Sequence, residues 1–529
     1  MKKRILITDN LQKEGVEILK AVPEFEVDVK NEVKPDELKV ILKNYDAIVI
    51  RSATKLKADI IEAAGNLKFI GRAGVGLDNV DLPAATKKGI VAINTPAGNT
   101  TSTAEQTWGL IMAISRSIPQ ACASMKAGLW DRNKFKGVEL YGKTIGIIGL
   151  GRIGSTVAKF AKTFGMTVIG FDPFLPVELF EQRGVTYATL EDLLKRSDYV
   201  TIHIPKSDET SDLIGDKEFG YMKKTVFVIN CARGGIINEA ALGRALEQKK
   251  IAGCALDVFE QEPPDFSSAL FKFDNCITTP HLGASTNEAQ INVAIEIAET
   301  IKNALLGKGI MNAANFPAVD AESQKVLNPY INLAFRMGKF AGQLVSGAIK
   351  EIEIVYSGVM TGYKVAPLTL SLVNGVLTPI LGETVNFVNA LDMAKERGVA
   401  VKEVISKAEE EFVNCMTMNL VTDKESLKIC GTLSANLQPR IVKVNSVYVE
   451  AVPEGGMLFI NNNDRPGVVG IVGTVLAEEG VNIAGITFGR ESRGGLAISL
   501  VNVDSEVPEA TIQKLKNTKD ILFVKYLNV

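Results

Sequence analysis

Three short segments of the 529-residue chain each end in a side chain that can handle a proton or a charge. Asn230-Cys231-Ala232-Arg233-Gly234-Gly235 places an arginine on a glycine turn. Asp257-Val258-Phe259-Glu260-Gln261-Glu262-Pro263-Pro264 places an acid before two prolines, and Thr279-Pro280-His281-Leu282-Gly283-Ala284 places an imidazole. Oxidising a secondary alcohol requires a base for the hydroxyl proton as hydride departs to a nicotinamide, and an α-hydroxy acid also requires a cation for its carboxylate. Arg233 offers that carboxylate two parallel N–H donors. His281 is the base, and Glu262 beside it would fix its tautomer and stabilise the imidazolium. The chain has only two histidines. The other, His203 in Thr201-Ile202-His203-Ile204-Pro205, has apolar neighbours that suit a structural or cofactor-lining role better than catalysis. Arg233 taken alone would more commonly be a solvent-exposed loop arginine. The succession of Arg, Glu and His on three strand ends is what makes the reading specific.

The cofactor has its own signature. Gly149-Leu150-Gly151-Arg152-Ile153-Gly154 follows an apolar strand and opens a helix running to Phe164. Gly149 permits a tight turn, Gly151 lets a pyrophosphate approach the backbone, and Gly154 lets helix and strand pack closely. The helix N-terminus then presents free N–H groups and a positive dipole end. Asp172, at the end of the next strand, suits the hydroxyls of an adenosine ribose and repels a 2′-phosphate, which favours NAD over NADP. A glycine turn without a ligand is the plain alternative, but strand, helix and acid all stand in their expected places. Gly71-Arg72-Ala73-Gly74-Val75-Gly76 lacks the third glycine, and no second dinucleotide is expected there.

These residues need a scaffold. From residue 1 to about 310, β-branched strands alternate with helix-length segments, the pattern of parallel sheets built from βαβ units. A break near Thr95–Asn99 precedes a helical stretch from about Thr101 to Ile118. The stretch after Ser285-Thr286-Asn287-Glu288, which has capping-box spacing, leads the chain back to the first unit. The last 73 residues or so follow the βαββαβ order of a ferredoxin-like module. The expected fold is α/β with two doubly wound parallel-sheet (Rossmann-like) domains, an α+β intervening domain and a C-terminal ferredoxin-like domain. Their expected bounds are 1–97 with 285–310 for the substrate domain, 98–284 for the NAD domain, 311–453 for the intervening domain and 454–529 for the last.

Composition narrows the class. With 59 basic and 61 acidic side chains the formal charge is −2, which argues against a dominant nucleic-acid or membrane role. Two histidines cannot furnish a three-histidine zinc site, and no metal is expected. The six cysteines form no C-x-x-C pair, so the expected setting is a reducing cytoplasm. No apolar run approaches the roughly 18 residues of a spanning helix.

The motifs G-L-G-R-I-G, N-C-A-R-G-G, D-V-F-x-x-E-P-P and P-H-L-G-A-S-T resemble the D-2-hydroxyacid dehydrogenase family. R-A-G-V-G-L-D-N-V-D from Arg72 and W-D-R-N-K-F from Trp130 narrow the resemblance to its long form acting on 3-phosphoglycerate. The resemblance covers essentially the whole chain, and implies an ACT module at the C-terminus and oxidation of 3-phosphoglycerate to 3-phosphohydroxypyruvate. It implies Arg233 as the substrate-orienting arginine, Glu262 as the partner acid and His281 as proton acceptor. Besides the glycine loop and Asp172, it implies cofactor contacts from Val75, Arg152, Ile153, Cys231, Ala232, Arg233, Asp257, His281, Gly283 and Ala284. Val75 stands where relatives often have a hydroxyl, so one hydrogen bond to the cofactor is expected to be missing.

A phosphate needs cations or N–H groups, and Arg51-Ser52 at a strand end, with Asn99 at the domain junction, are the candidates. By resemblance, Arg132 and Lys134 reach the substrate of a neighbouring subunit in a homotetramer with ACT–ACT contacts, the alternative being a solvated basic loop. Asn462, Asp464 and Asn482 are placed by resemblance at an L-serine site for feedback inhibition, although Asn462–Asp464 also suit simple turn and N-cap chemistry. The intervening domain resembles a segment that binds an anion or substrate effector, with no ligand residues singled out. Two other functions remain open: a dehydrogenase of another small D-2-hydroxy acid, and an NAD-sensing regulatory protein on the same scaffold.

Overall fold

A computed structural model describes residues 2–317, 321–406, 412 and 414–529. The first sheet contains β1 (Lys3–Ile7), β2 (Phe25–Val29), β3 (Ala47–Ile50), β4 (Phe69–Arg72) and β5 (Val91–Ile93), in the order β2-β1-β3-β4-β5. All its pairings are parallel. β3 is buried at every position, as expected for a parallel strand covered by helices on both faces.

Helix Thr100–Ser115 leads out of this unit and helix Asn287–Leu305 returns to it. The returning helix packs Val293, Ala294, Ile297, Ala298 and Ile301 into the core of the first sheet, beside Ile5, Leu19 and Phe69. The second sheet is therefore inserted in the first unit. It contains β6 (Thr144–Ile148), β7 (Thr167–Phe171), β8 (Thr186–Tyr187), β9 (Tyr199–Ile202), β10 (Phe227–Asn230), β11 (Gly253–Leu256) and β12 (Cys276–Thr278). Their order, β12-β11-β10-β9-β6-β7-β8, reverses direction at β6. Such a switch point opens a ligand crevice outside the C-terminal strand ends.

The single helix expected over 101–118 is two helices, Thr100–Ser115 and Ile118–Lys126. Ser117 between them is left-handed at φ 48°. Pro119, which lacks an N–H and crowds the preceding turn, fits only the opening of the second helix.

Beyond Leu305 the chain stitches itself to the open edge of β5. Ala313 bridges Ile93 in antiparallel sense, Ala314 N donates to Ala92 O and Asn94 N to Asn312 O. Asn315 accepts from Ala92 N and donates to Thr86 Oγ1 and Ile90 O. An edge that would otherwise expose its polar groups is thus covered.

The third sheet contains β13 (Ile349–Tyr356), β14 (Ala400–Ile405), β15 (Cys415–Thr422), β16 (Ser426–Leu433), β17 (Pro439–Val444) and β18 (Val447–Ala451), in the order β14-β13-β15-β16-β17-β18. The fourth contains β19 (Gly456–Asn463), β20 (Ile483–Arg490), β21 (Leu496–Val503) and β22 (Ile521–Asn528), antiparallel in the order β20-β21-β19-β22. With helices Val468–Glu478 and Glu509–Lys516 this is a βαββαβ module. The two sheets share one core. Leu333, Met337 and Phe340 of helix Ala321–Leu344 pack with Met457, Phe459, Ile498, Leu500 and Leu527 of the last module. β18 also faces β20, where Thr487 Oγ1 donates to Glu450 O at 3.2 Å and Ser446 Oγ to Glu491 Oε1 at 3.0 Å. No described helix is long and apolar enough to cross a membrane.

Candidate active site

The glycine loop leaves β6 with Gly149 N donating to Phe171 O, and Gly149 adopts φ 91°. A Cβ on Gly154 would lie 2.0 Å from Gly149 O, so only glycine lets the helix close this tightly on the turn. Gly151 caps helix Arg152–Thr163 without any side-chain cap bond, and the space its Cβ would occupy is open. Arg152 and Ile153 begin that helix. The uncapped N–H groups and open approach fit a pyrophosphate. Asp172 stands at the end of β7, where its Oδ2 accepts from Leu150 N at 2.9 Å and its Oδ1 from Phe174 N at 3.0 Å. It therefore braces the loop as well as offering a carboxylate beside it. Arg183, not singled out from the sequence, donates to Leu150 O and Ser155 Oγ from behind.

The far wall of the crevice follows β10, β11 and β12. Cys231 is buried, which pushes its thiol up to about 12 and leaves it un-ionised. Ala232 N donates to Asn230 Oδ1. Asp257 is fully buried and accepts from Leu282 N, Gly283 N and Thr279 Oγ1 at 2.8, 2.8 and 2.5 Å. With Gln106 Nε2 as a fourth donor at 3.4 Å, this buried carboxylate is a stable anchor, and it ties the loop carrying His281 to β11. Gly283 O accepts from Thr103 Oγ1 and Ala284 O from Gln290 Nε2, so both residues are held by helices of the domain connections. Across the cleft, Val75 O accepts from Asn94 Nδ2.

Arg233, Glu262 and His281 follow three adjacent strand ends. His281 Nδ1 lies 2.7 Å from Glu262 Oε2, and Glu262 Oε1 accepts from Phe259 N at 3.2 Å. Burial works against the Glu262 carboxylate, but His281, the Phe259 N–H and Arg233 outweigh it and hold the group below its ordinary value. Arg233 reaches toward the first domain, its Nε 3.4 Å from Asp78 Oδ2, while its Nη1 donates to Ala232 O. The second histidine differs. His203 Nε2 contacts Thr201 Oγ1 at 3.0 Å, its Nδ1 is buried without a partner, and burial pushes its pKa down to about 3. A neutral imidazole of that kind is a poor base.

On the first domain, Arg51 N donates to Asp9 Oδ2 and its guanidinium to Gln290 Oε1. Ser52 is exposed. Asn99 opens helix Thr100–Ser115 without capping it, and its Oδ1 is buried and unpartnered. Sequence reasoning passed over Arg72, at the end of β4 in register with Ile50; its level with Arg51 was the available signal. The structure does not bring Arg132 and Lys134 into this cleft. Both are exposed on the loop after helix Ile118–Lys126, beside Trp130, which is 77% exposed. Lys134 lines a separate hollow of about 680 Å³ with Ser117, Gln120 and Asp274.

The proposed effector residues are also divided. Asn462 is buried, accepting from Ser499 Oγ and donating to Asn463 O. Asp464 accepts from Gly494 N and Arg490 Nη1. Asn482 donates to Asp504 Oδ2 at 2.6 Å. β20 runs from beside Asn482 to Arg490, which shares the register of Ala497 with Asn462. Asn482 and Asp464 thus stand at opposite ends of β20, roughly 25 Å apart at strand rise.

Comparison with known proteins finds three matches to families. Residues 108–283 match the D-isomer specific 2-hydroxyacid dehydrogenase NAD binding domain, residues 326–445 the D-3-phosphoglycerate dehydrogenase intervening domain and residues 456–520 the ACT domain. A D-3-phosphoglycerate dehydrogenase of Methanocaldococcus jannaschii is 43% identical over 527 residues, covering 99% of this chain and 100% of that one. One from Bacillus subtilis is 40% identical over 526 residues, covering 99% of each. Among solved structures, an Aquifex aeolicus D-lactate dehydrogenase complexed with NAD and lactic acid is 30% identical with a TM-score of 0.51, covering 57% of this chain and 96% of its own.

Proposed function

This chain belongs to the D-3-phosphoglycerate dehydrogenase family and is an NAD-dependent dehydrogenase, and on that premise we propose that it oxidises 3-phospho-D-glycerate to 3-phosphohydroxypyruvate, the opening step toward L-serine. The observation that carries this reading is the His281–Glu262 contact beside Arg233 on three successive strand ends. NAD, held at the glycine loop and Asp172, supplies the hydride acceptor. Arg233 binds the substrate carboxylate and orients C2. Nδ1 of His281 is engaged by Glu262, so Nε2 takes the C2 hydroxyl proton. Glu262 stays ionised and stabilises the imidazolium that results. Arg51, Ser52 and Asn99 receive the phosphate end.

Arg132 and Lys134 serve the cleft of a neighbouring subunit in a homotetramer. The exposed run of Ile118, Met125, Leu129 and Trp130 beside them supports a subunit contact there. L-serine binds between two ACT modules, with Asp464 of one copy and Asn482 of the other in one site, since in a single copy the two stand at opposite ends of β20.

Steady-state NADH production from 3-phosphoglycerate and from D-glycerate, with and without L-serine, tests all of this. Turnover of the phosphorylated acid, suppressed by serine, is expected. Preference for D-glycerate would move the substrate to another 2-hydroxy acid, and full activity in millimolar serine would remove the feedback role.

A further inference from the structure

Two of the six cysteines meet at the rim of the second sheet. Cys254 of β11 and Cys276 of β12 are partners in the parallel register, and Cys254 Sγ donates to Cys276 Sγ at 3.3 Å. Packing alone needs no sulfur at this place, since the next register pair is Ala255 and Ile277. The two thiols differ in access. Cys254 is fully buried in the core of the sheet, whereas Cys276 is only partly buried on β12, an end strand whose single neighbour is β11. The hydrogen bond to Cys276, and then burial, hold the Cys254 thiol well above its ordinary value. Cys254 therefore keeps its proton, and Cys276 is the sulfur that a reagent reaches from solvent.

Neighbouring strands lie about 4.7–4.9 Å apart, and register partners at that spacing fall inside the range of about 4.4–6.8 Å between Cα atoms that a disulfide spans. The two strands also lead straight to the catalytic pair. β11 runs on through Asp257 to Glu262, and β12 through Thr279 to His281, with Thr279 Oγ1 donating to Asp257 Oδ1. A bond between Cys254 and Cys276 would join these strands just beneath the residues that hold the histidine and its acid.

We propose that Cys254 and Cys276 form a reversible disulfide site, closed by a small disulfide such as oxidised glutathione, and that closing it slows the dehydrogenase. The Cys276 thiolate attacks one sulfur of the oxidant, forming a mixed disulfide and releasing one small thiolate, which takes up a proton. Cys254 then gives its proton to solvent and displaces the second small thiolate from Cys276. One S–S bond is broken and one is formed; two protein thiols are oxidised, and the oxidant leaves as two thiols. Excess small thiol reverses both steps. The Cβ atoms of a disulfide lie about 3.5–4.5 Å apart, closer than the strand spacing, so closure draws the end strand inward and the Thr279–His281 loop with it. Misplacing a catalytic group by about 1 Å costs roughly a hundredfold in rate, so a shift of a few tenths of an ångström is expected to lower kcat by about three- to tenfold.

The test starts from Cys122→Ser, which removes the exposed cysteine as a competing target. This protein is incubated with oxidised glutathione, alkylated in denaturant and cut with trypsin. Lys272 lies between the two cysteines, so the bridge is expected to join peptide 251–272 to peptide 273–302, while kcat falls and returns with dithiothreitol. Adding Cys276→Ser is expected to abolish both the joined peptides and the response of kcat, and adding Cys254→Ser to leave glutathione on Cys276. Alkyl label on both cysteines after oxidation, or glutathione retained on Cys276 while Cys254 is present, overturns the site. A bridge that leaves kcat unchanged, or an equal loss of kcat with Cys276→Ser, overturns its effect on turnover. The peptide map needs no substrate and decides the bridge whichever acid the enzyme oxidises.

Discussion

His281 meets Glu262 at 2.7 Å from a left-handed backbone at φ 55°, a conformation a histidine holds only when its surroundings enforce it. The enforcement is visible in Asp257, which accepts the two N–H groups that follow. His281→Asn should therefore lower kcat by about 10²–10⁴-fold. Glu262→Gln, which keeps the contact but loses the charge, should lower it by roughly a hundredfold. Single-turnover NADH formation reads both, and full turnover by His281→Asn would remove the imidazole from the chemistry.

Stability should report the same contact through pH. Glu262 is held below its ordinary value near 4.5 in the fold, so its contribution is complete above that value and disappears as pH falls through the lower folded one. The Tm gap between wild type and Glu262→Gln is expected to close as pH falls below about 4.5. A gap that persists undiminished in strong acid would contradict the arrangement.

His203 should stand apart in a titration. Burial holds His203 neutral down to about pH 3, whereas in the unfolded chain it takes a proton near 6.5. Folded stability therefore declines as pH drops below about 6.5, and part of that decline should vanish in His203→Gln. By ¹⁵N NMR of labelled histidine, the His203 signals should not move between pH 5 and 8. Titration of His203 within that range would return it to the list of bases.

Much of the chemistry was legible because it lies on strand ends, where a short apolar run followed by Gly, Pro or Asp announces both the strand and the crevice it faces. The glycine loop, Asp172 and the succession Arg233, Glu262, His281 are all of this kind. Asp257 was legible as a nearby polar residue but not as the anchor of the histidine loop, since the donors that tie it to that loop come from Thr279, Leu282 and Gly283. Arg72 escaped because the burial of its Nε is not a property of a sequence window. The division of one expected helix at Ser117 was signalled by Pro119 alone. The separation of Asn482 from Asp464 needed the register of β20 and β21, which no periodicity supplies.

The shared core of the intervening and ACT modules gives a stability prediction. Phe340 is fully buried and its ring lies 6.1 Å from that of Phe459. Phe340→Ala should cost about 3–5 kcal/mol and lower the denaturation midpoint of both modules together. Separate transitions for the two, by fluorescence and by hydrogen exchange, would show that the seam is weaker than its packing implies.

The stitch between residues 312–315 and β5 has a mechanical meaning. The linker toward the intervening and ACT modules is fastened to Ala92 and Asn94, and the chain runs from Asn94 directly to Asn99 at the mouth of the cleft. A displacement of the linker would therefore reach the mouth of the cleft along main chain, as along a short tether. Asn315→Ala would loosen that fastening between the C-terminal modules and the cleft, leaving every residue that faces the substrate untouched.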